Sequence, residues 1–219
     1  MPAEQGEAMT HTSAEPVTFV VTDIETDGHS PLRNSMLSFA SVAVDYAGQR
    51  YGEFETVLER REDRVPDPRT SEWWAGFPDA YKAATDNPQP VKSEMDRFCD
   101  WVEALPGFKV FCAAPIMFDG PWMDHYLDQF CGARALGGPY AGQQLFRGGG
   151  VCLYTMAGTL RGQDYLNWGM QRAPKDWYGH IPHTHKAIDD ARGFANVLVK
   201  LFELNGQLPK IENETGSYQ

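Results

Sequence analysis

Residues 19–28, FVVTDIETDG, restrict this chain more than any other stretch. An apolar run ends in two carboxylates, Asp23 and Glu25, two positions apart, and breaks at Asp27-Gly28. Successive side chains of a β-strand point to opposite faces, so Phe19, Val21, Asp23 and Glu25 share one face. The first two feed a core and the last two meet at the strand end. Two carboxylates held that close repel unless a positive charge sits between them, and a hard divalent cation with oxygen ligands, Mg²⁺ or Mn²⁺, satisfies both. An isolated D-x-E is more often a strand ending in solvated acids, so the downstream residues decide between the two.

The chain has 219 residues, enough for one α/β domain with a sizeable core and few for two. Residues 1–15 are small and polar and read as a disordered tail, without the basic start and apolar block of a signal peptide. Residues 205–219 read as a flexible C-terminal tail, leaving 16–204 as the folded domain. No apolar run has the length of a membrane span, so no membrane partner is expected. Cys99, Cys112, Cys131 and Cys152 form no C-x-x-C pair and read as buried thiols of a cytoplasmic protein. The net charge of −11 argues against a broad basic surface for long duplexes. A short single-stranded end needs a smaller footprint, and bound divalent ions would supply positive charge where a phosphate sits.

Residues 36–58 form two β-rich segments around a turn at Ala47-Gly48, so the carboxylate strand opens an antiparallel meander and lies at or near the sheet centre. The charged, proline-bearing segment 59–70 is expected to be a loop. A helical excursion at 71–84, broken near Pro78, carries Trp73 and Trp74, for which core packing of both is the expectation. Residues 93–105 have helical spacing with Ser93 as the cap, and Pro106-Gly107 ends them. The short apolar run 108–114 then returns to the sheet, and a helix-then-strand return is the mark of parallel pairing. Asp119 follows at the strand-to-helix junction, three residues ahead of an apolar stripe of Trp122, Met123, Tyr126, Leu127 and Phe130. It reads as a helix cap or as an inward-facing acid. Segment 132–150 is glycine-rich, a mobile loop or an oligomer contact that would make a homodimer. Residues 151–160 form a last strand or the start of a helix, and 164–177 lean helical.

The second informative stretch is 180–191, HIPHTHKAIDDA, ahead of a helix over 188–203. Asp190 is in phase with Phe194, Val197, Leu198 and Leu201, and Asp189 with Gly193, Asn196 and Lys200. Helical phase therefore points Asp190 inward, where a carboxylate needs ionic partners. His185 is placed to sit beside it, whereas His180 and His183 read as loop residues. The spacing of the three histidines, in a proline-broken loop, fits zinc poorly.

Asp23-Ile24-Glu25-Thr26 on a first strand, Phe118-Asp119 after Cys112-Ala113-Ala114, and His185-Lys186-Ala187-Ile188-Asp189-Asp190-Ala191 opening a late helix occur in that order. This arrangement resembles the DEDDh (DnaQ-like) 3′-to-5′ exonucleases of the ribonuclease H-like superfamily, over about residues 16–203. The resemblance implies an α/β fold with a five-stranded mixed sheet, its first three strands antiparallel, flanked by helices. It also implies Asp23, Glu25, Asp119 and Asp190 as ligands of two Mg²⁺ or Mn²⁺ ions, with His185 as general base. Thr26, Met36 and Leu37 are candidate substrate contacts for a single-stranded RNA or DNA 3′ end or short oligonucleotide, with Met36 and Leu37 against its terminal base. The chain departs from the family pattern at Ala-Ala-Pro-Ile-Met before Asp119 and in lacking an acid near Cys152-Leu153. Other readings are a phosphodiesterase for dinucleotides or small phosphate esters, and a non-catalytic nucleic-acid-binding module of the same fold.

Overall fold

A computed structural model describes residues 16–137, 144–164 and 173–206. Three strands come first: β1 (Val17–Thr26), β2 (Met36–Val44) and β3 (Arg50–Val57). Gly48 turns the chain between β2 and β3 at φ +84°, a conformation open to glycine because it lacks a Cβ. Helices α1 (Pro68–Trp74), α2 (Pro78–Thr85) and α3 (Val91–Ala104) lead to β4 (Phe108–Ala113) and α4 (Ile116–Cys131). The rest comprises β5 (Val151–Cys152), α5 (Leu153–Leu160), a 3-10 turn at Lys175–Tyr178 and α6 (Ala187–Gly206).

The sheet order is β3-β2-β1-β4-β5. β1 pairs antiparallel with β2, and β2 with β3, while β4 runs parallel to both β1 and β5. The five-stranded mixed sheet implied by the resemblance is thus present, with the carboxylate strand at its centre. Helices cover both faces, which is why every residue of β2 is buried. On one side Val20, Ile24 and Phe39 pack with Phe98 of α3 and Trp122 and Tyr126 of α4. On the other, Phe19, Val21, Ala40 and Val42 pack with Ala191, Phe194, Leu198 and Leu201 of α6. β3 is an edge strand, so its C-terminal half alternates: Phe54 and Thr56 are buried, Glu53 and Glu55 exposed.

Several boundaries differ from the sequence expectation. The charged loop ends at Asp67, because Asp67 accepts from the Arg69 amide at 2.9 Å as an N-cap and Pro68 takes the first helical position. Ser93 does not cap α3; the helix begins at Val91 and Ser93 Oγ donates to the Pro90 carbonyl at 2.9 Å within its first turn. Gln89 is already bonded to both Val57 and Glu59, and that fixes where the chain can begin to coil. Residues 151–160 are both a strand and a helix, and α6 runs to Gly206, beyond the helix expected over 188–203. Of the four thiols only Cys112 is buried; Cys99, Cys131 and Cys152 are half-buried. The tip of the glycine-rich segment (138–143), most of the ambiguous segment (165–172), the whole tail 1–15 and most of the tail 205–219 lie outside the described residues. Among those described, no helix is long and apolar enough to cross a membrane.

Candidate active site

β1 carries its acids past the point where one of its neighbours has stopped. β4 pairs with it only from Val17 to Val21, whereas β2 stays paired out to Thr26. The side of β1 vacated by β4 is taken by the first turn of α4, which holds Asp119. Carboxyl ends of strands at such a switch point are where open α/β sheets leave a crevice. Asp23 and Glu25 lie on the same face of β1 as Phe19 and Val21, which pack against α6. They therefore point at the first turn of α6.

Asp190 meets them there. One carboxylate oxygen each from Asp23, Glu25 and Asp190 lie within 4.8 Å of one another. Asp190 is 4% exposed, while its neighbour Asp189 is half-buried and bonded to Thr184 Oγ1 at 2.8 Å, as helical phase predicts. Asp119 lies outside that tight group but close enough to act on Asp23 and Glu25 electrostatically. It is not a cap: α4 has Pro115 at that position, and Asp119 sits buried in the first turn.

The surroundings disfavour the charged forms of Asp23, Glu25 and Asp119. Burial raises the pKa of Asp23 well above the carboxylate range, and the charges of Glu25, Asp119 and Asp190 push the same way. Glu25 is raised by burial and then by Asp190 and Asp119. Burial brings Asp119 to about 7, against the downward pull of the backbone amides of Asp119 and Ile24. No neighbouring lysine or arginine offsets any of the three among the described residues. Asp119 Oδ2 is buried with no hydrogen-bond partner there. Buried anions of one sign either hold protons or take up a cation, and an all-oxygen donor set fits a hard divalent ion.

The loop before α6 adds nitrogen. His183 Nδ1 lies 2.9 Å from Asp190 Oδ1, so the residue taken from sequence as a plain loop histidine bonds the inward acid. The Thr184 amide donates to the same oxygen at 3.2 Å. His185 is in the left-handed region at φ +57°, its ring edge-on to His183, Trp73 and Phe77 with centroids 4.5, 5.0 and 4.5 Å apart. Burial, then the His183 charge, lowers the pKa of His185; the bond to Asp190 raises that of His183.

A cavity of about 230 Å³ opens beside the acids, lined by Glu25, Thr26, Trp73, Trp74 and Phe118 among others. Trp74 is 3% exposed and donates through Nε1 to the Thr26 carbonyl at 2.9 Å, but Trp73 is 42% exposed. Core packing of both indoles is therefore incorrect: adjacent helical residues face different ways, and only one could point inward. Met36 and Leu37 cannot meet a base, since both are fully buried. The Met36 amide donates to Tyr126 Oη at 2.8 Å and Leu37 packs with Trp74, Ala80 and Ala84. Thr26 does border the cavity, with its hydroxyl donating to the Gly28 carbonyl at 2.6 Å. Tyr154 of α5, not singled out from sequence, has its pKa raised to about 12 by burial and by the charges of Tyr178, Asp119 and Asp23. Its phase on a short helix carried no signal of that placement.

No family model matches the chain, and neither does any curated protein. Solved structures do match. A zinc-bound form of an E. coli ExoI–ssDNA complex aligns at 16% identity and TM-score 0.58, covering 88% of this chain and 41% of that one. Exonuclease I from Methylocaldum szegediense aligns at 20% identity and TM-score 0.57, covering 87% of this chain and 41% of that one. The nuclease domain of 3′hExo, a DEDDh family member bound to rAMP, aligns at 8% identity and TM-score 0.59, covering 89% and 94%. The chain thus spans about two fifths of the length of the exonuclease I structures and nearly all of the 3′hExo domain. The sheet order, the strand directions and these alignments together give this chain the mixed-sheet α/β fold of those exonuclease structures.

Proposed function

We propose that this protein is a divalent-metal-dependent 3′-to-5′ exonuclease that releases nucleoside 5′-monophosphates from single-stranded RNA or DNA ends. The observation that carries this reading is the convergence of Asp23, Glu25 and Asp190, from the first strand and the last helix, on one point that no lysine or arginine offsets among the described residues. Asp119, with its unpartnered oxygen, completes a four-acid donor set for two Mg²⁺ or Mn²⁺ ions. Such ions, when bound, supply a water of lowered pKa and a positive clamp on the phosphate.

The chain's own residues do the rest. His185, with its pKa lowered by burial, is neutral near pH 7 and can accept a proton at a ring nitrogen. Trp73 and Phe118, both partly exposed at the cavity, offer flat faces for stacking a terminal base without reading it. Thr26 fixes the strand end beneath them through its bond to Gly28. The narrow cavity and the net charge of −11 favour short substrates, contacted at few phosphates. Fold similarity to exonuclease I in complex with a dT13 oligonucleotide and to the rAMP-bound domain supports the substrate class.

The test is degradation of an end-labelled single strand with Mn²⁺ or Mg²⁺, which Asp23→Ala and His185→Ala should each abolish. Undiminished hydrolysis by Asp23→Ala would refute the site. Comparing a dinucleotide with a longer strand separates an oligonucleotide exonuclease from a small-ester phosphodiesterase.

A further inference from the structure

Asp190 belongs to two donor groups at once. With Asp23 and Glu25 it forms an all-oxygen set; with His183 and His185 it forms a second set of two imidazole nitrogens and one carboxylate oxygen, whose ligand atoms also lie within 4.8 Å of one another. We propose that this second set is a binding site for a borderline transition-metal ion of the Zn²⁺ class, and that its occupation switches the hydrolytic centre off. The regulatory half of this proposal rests on the exonuclease reading above.

Donor chemistry separates the two groups. Magnesium and manganese favour carboxylate and water oxygen, while imidazole suits zinc, cobalt and nickel. Two histidines and one carboxylate make a familiar zinc donor set with a fourth position left for water. The loop spacing that argued against zinc in the sequence is overcome by folding, since the backbone bends at His185 rather than presenting the rings from one helix turn.

The ligands are also held. Asp190 lies in the first turn of α6, and its Oδ1 already receives the Thr184 amide and faces His183 Nδ1. His185 occupies the left-handed backbone region, which is uncommon for a residue with a Cβ and is held here by its neighbours. The Trp73 and Phe77 rings supply those surroundings on one side and His183 on another. The His183 side chain is 56% exposed, which gives an ion a path from solvent. A zinc-class ion here draws on Asp190 and His185 together, and so withdraws an acid from the oxygen set and the proton acceptor from the cleft.

The test uses the full metal-free chain, titrated with Co²⁺ and followed by its visible ligand-field absorption, with Zn²⁺ displacing it. Wild type and Asp23→Ala should both bind with a nitrogen-ligated spectrum, because Asp23 belongs only to the oxygen set. His183→Ala and His185→Ala, each checked for folding by circular dichroism, should bind at least about tenfold more weakly. Wild-type binding by His183→Ala, or an equal loss in Asp23→Ala, overturns the site. In the second arm, Zn²⁺ is titrated against Mn²⁺-dependent hydrolysis. The half-inhibiting concentration should rise at least about tenfold in His183→Ala, and an unchanged value overturns the switch. Wild type that binds Co²⁺ as described but hydrolyses nothing refutes the exonuclease reading and leaves the metal site standing.

Discussion

The Trp73 indole stands edge-on to the His185 imidazole, their centroids 5.0 Å apart and their planes at 84°. One ring comes from α1 and the other from the loop before α6, so this contact joins two elements that share no strand pairing. Trp73 is nonetheless 42% exposed, and its open face borders the cleft. It lines the cleft rather than the core.

Trp73→Ala should therefore lower kcat/KM on a single strand about five- to 150-fold, the worth of ~1–3 kcal/mol of stacking, with little change in melting temperature. Trp74→Ala should act chiefly on stability. It empties a buried site and removes the donor to the Thr26 carbonyl, costing ~3–5 kcal/mol of stability. Steady-state kinetics and denaturant unfolding of both variants check the contrast.

Asp23→Asn should abolish metal-dependent hydrolysis yet stabilise the metal-free protein by about 1–2 kcal/mol, because one of several buried like charges is gone. Mg²⁺ or Mn²⁺ should raise the melting temperature of wild type and not of the variant. Calorimetry with and without a chelator reads both effects.

The same acids set a pH dependence. Asp23, Glu25 and Asp119 are raised in the folded state, Asp119 to about 7, so the folded chain binds more protons than the unfolded one above the ordinary carboxylate range. Their stabilising contribution is complete below about pH 4 and is lost as pH rises through the raised values. Taken by themselves, they should make the metal-free protein less stable from about pH 4 to pH 7, while the stabilisation by added Mn²⁺ grows over the same span. Melts in a pH series with chelator or Mn²⁺ test this, and the slope should flatten in Asp23→Asn.

Tyr126→Phe tests how the core supports the cleft. The Tyr126 hydroxyl is the acceptor for the buried Met36 amide at the start of β2. Losing it leaves that donor unpaired at a cost of ~1–3 kcal/mol, measurable by urea unfolding.

Periodicity and residue type carried most of this fold. Alternation in β1, the 3.6-residue phase of α6 and the helix-then-strand return into β4 are local regularities; the first put Asp23 and Glu25 on one face, the second turned Asp190 inward and the third gave the parallel pairing. Capping at Ser93 failed because Gln89 is tied to the sheet edge, a constraint from residues far away in the chain. Met36 and Leu37 failed as base contacts because helices on both sides of β2 leave it no exposed face.

By itself the sequence determined that Asp23 and Glu25 share a face, that Asp190 rather than Asp189 turns inward, and that Asp119 opens a helix after a parallel strand. Those follow from backbone geometry within a few residues. Only the tertiary structure decided that β4 stops short of Asp23, that Trp73 reaches His185, and that His183 bonds Asp190. Such relations depend on where separate elements pack. No periodicity records that distance, because the burial that sets it is shared among residues remote along the chain.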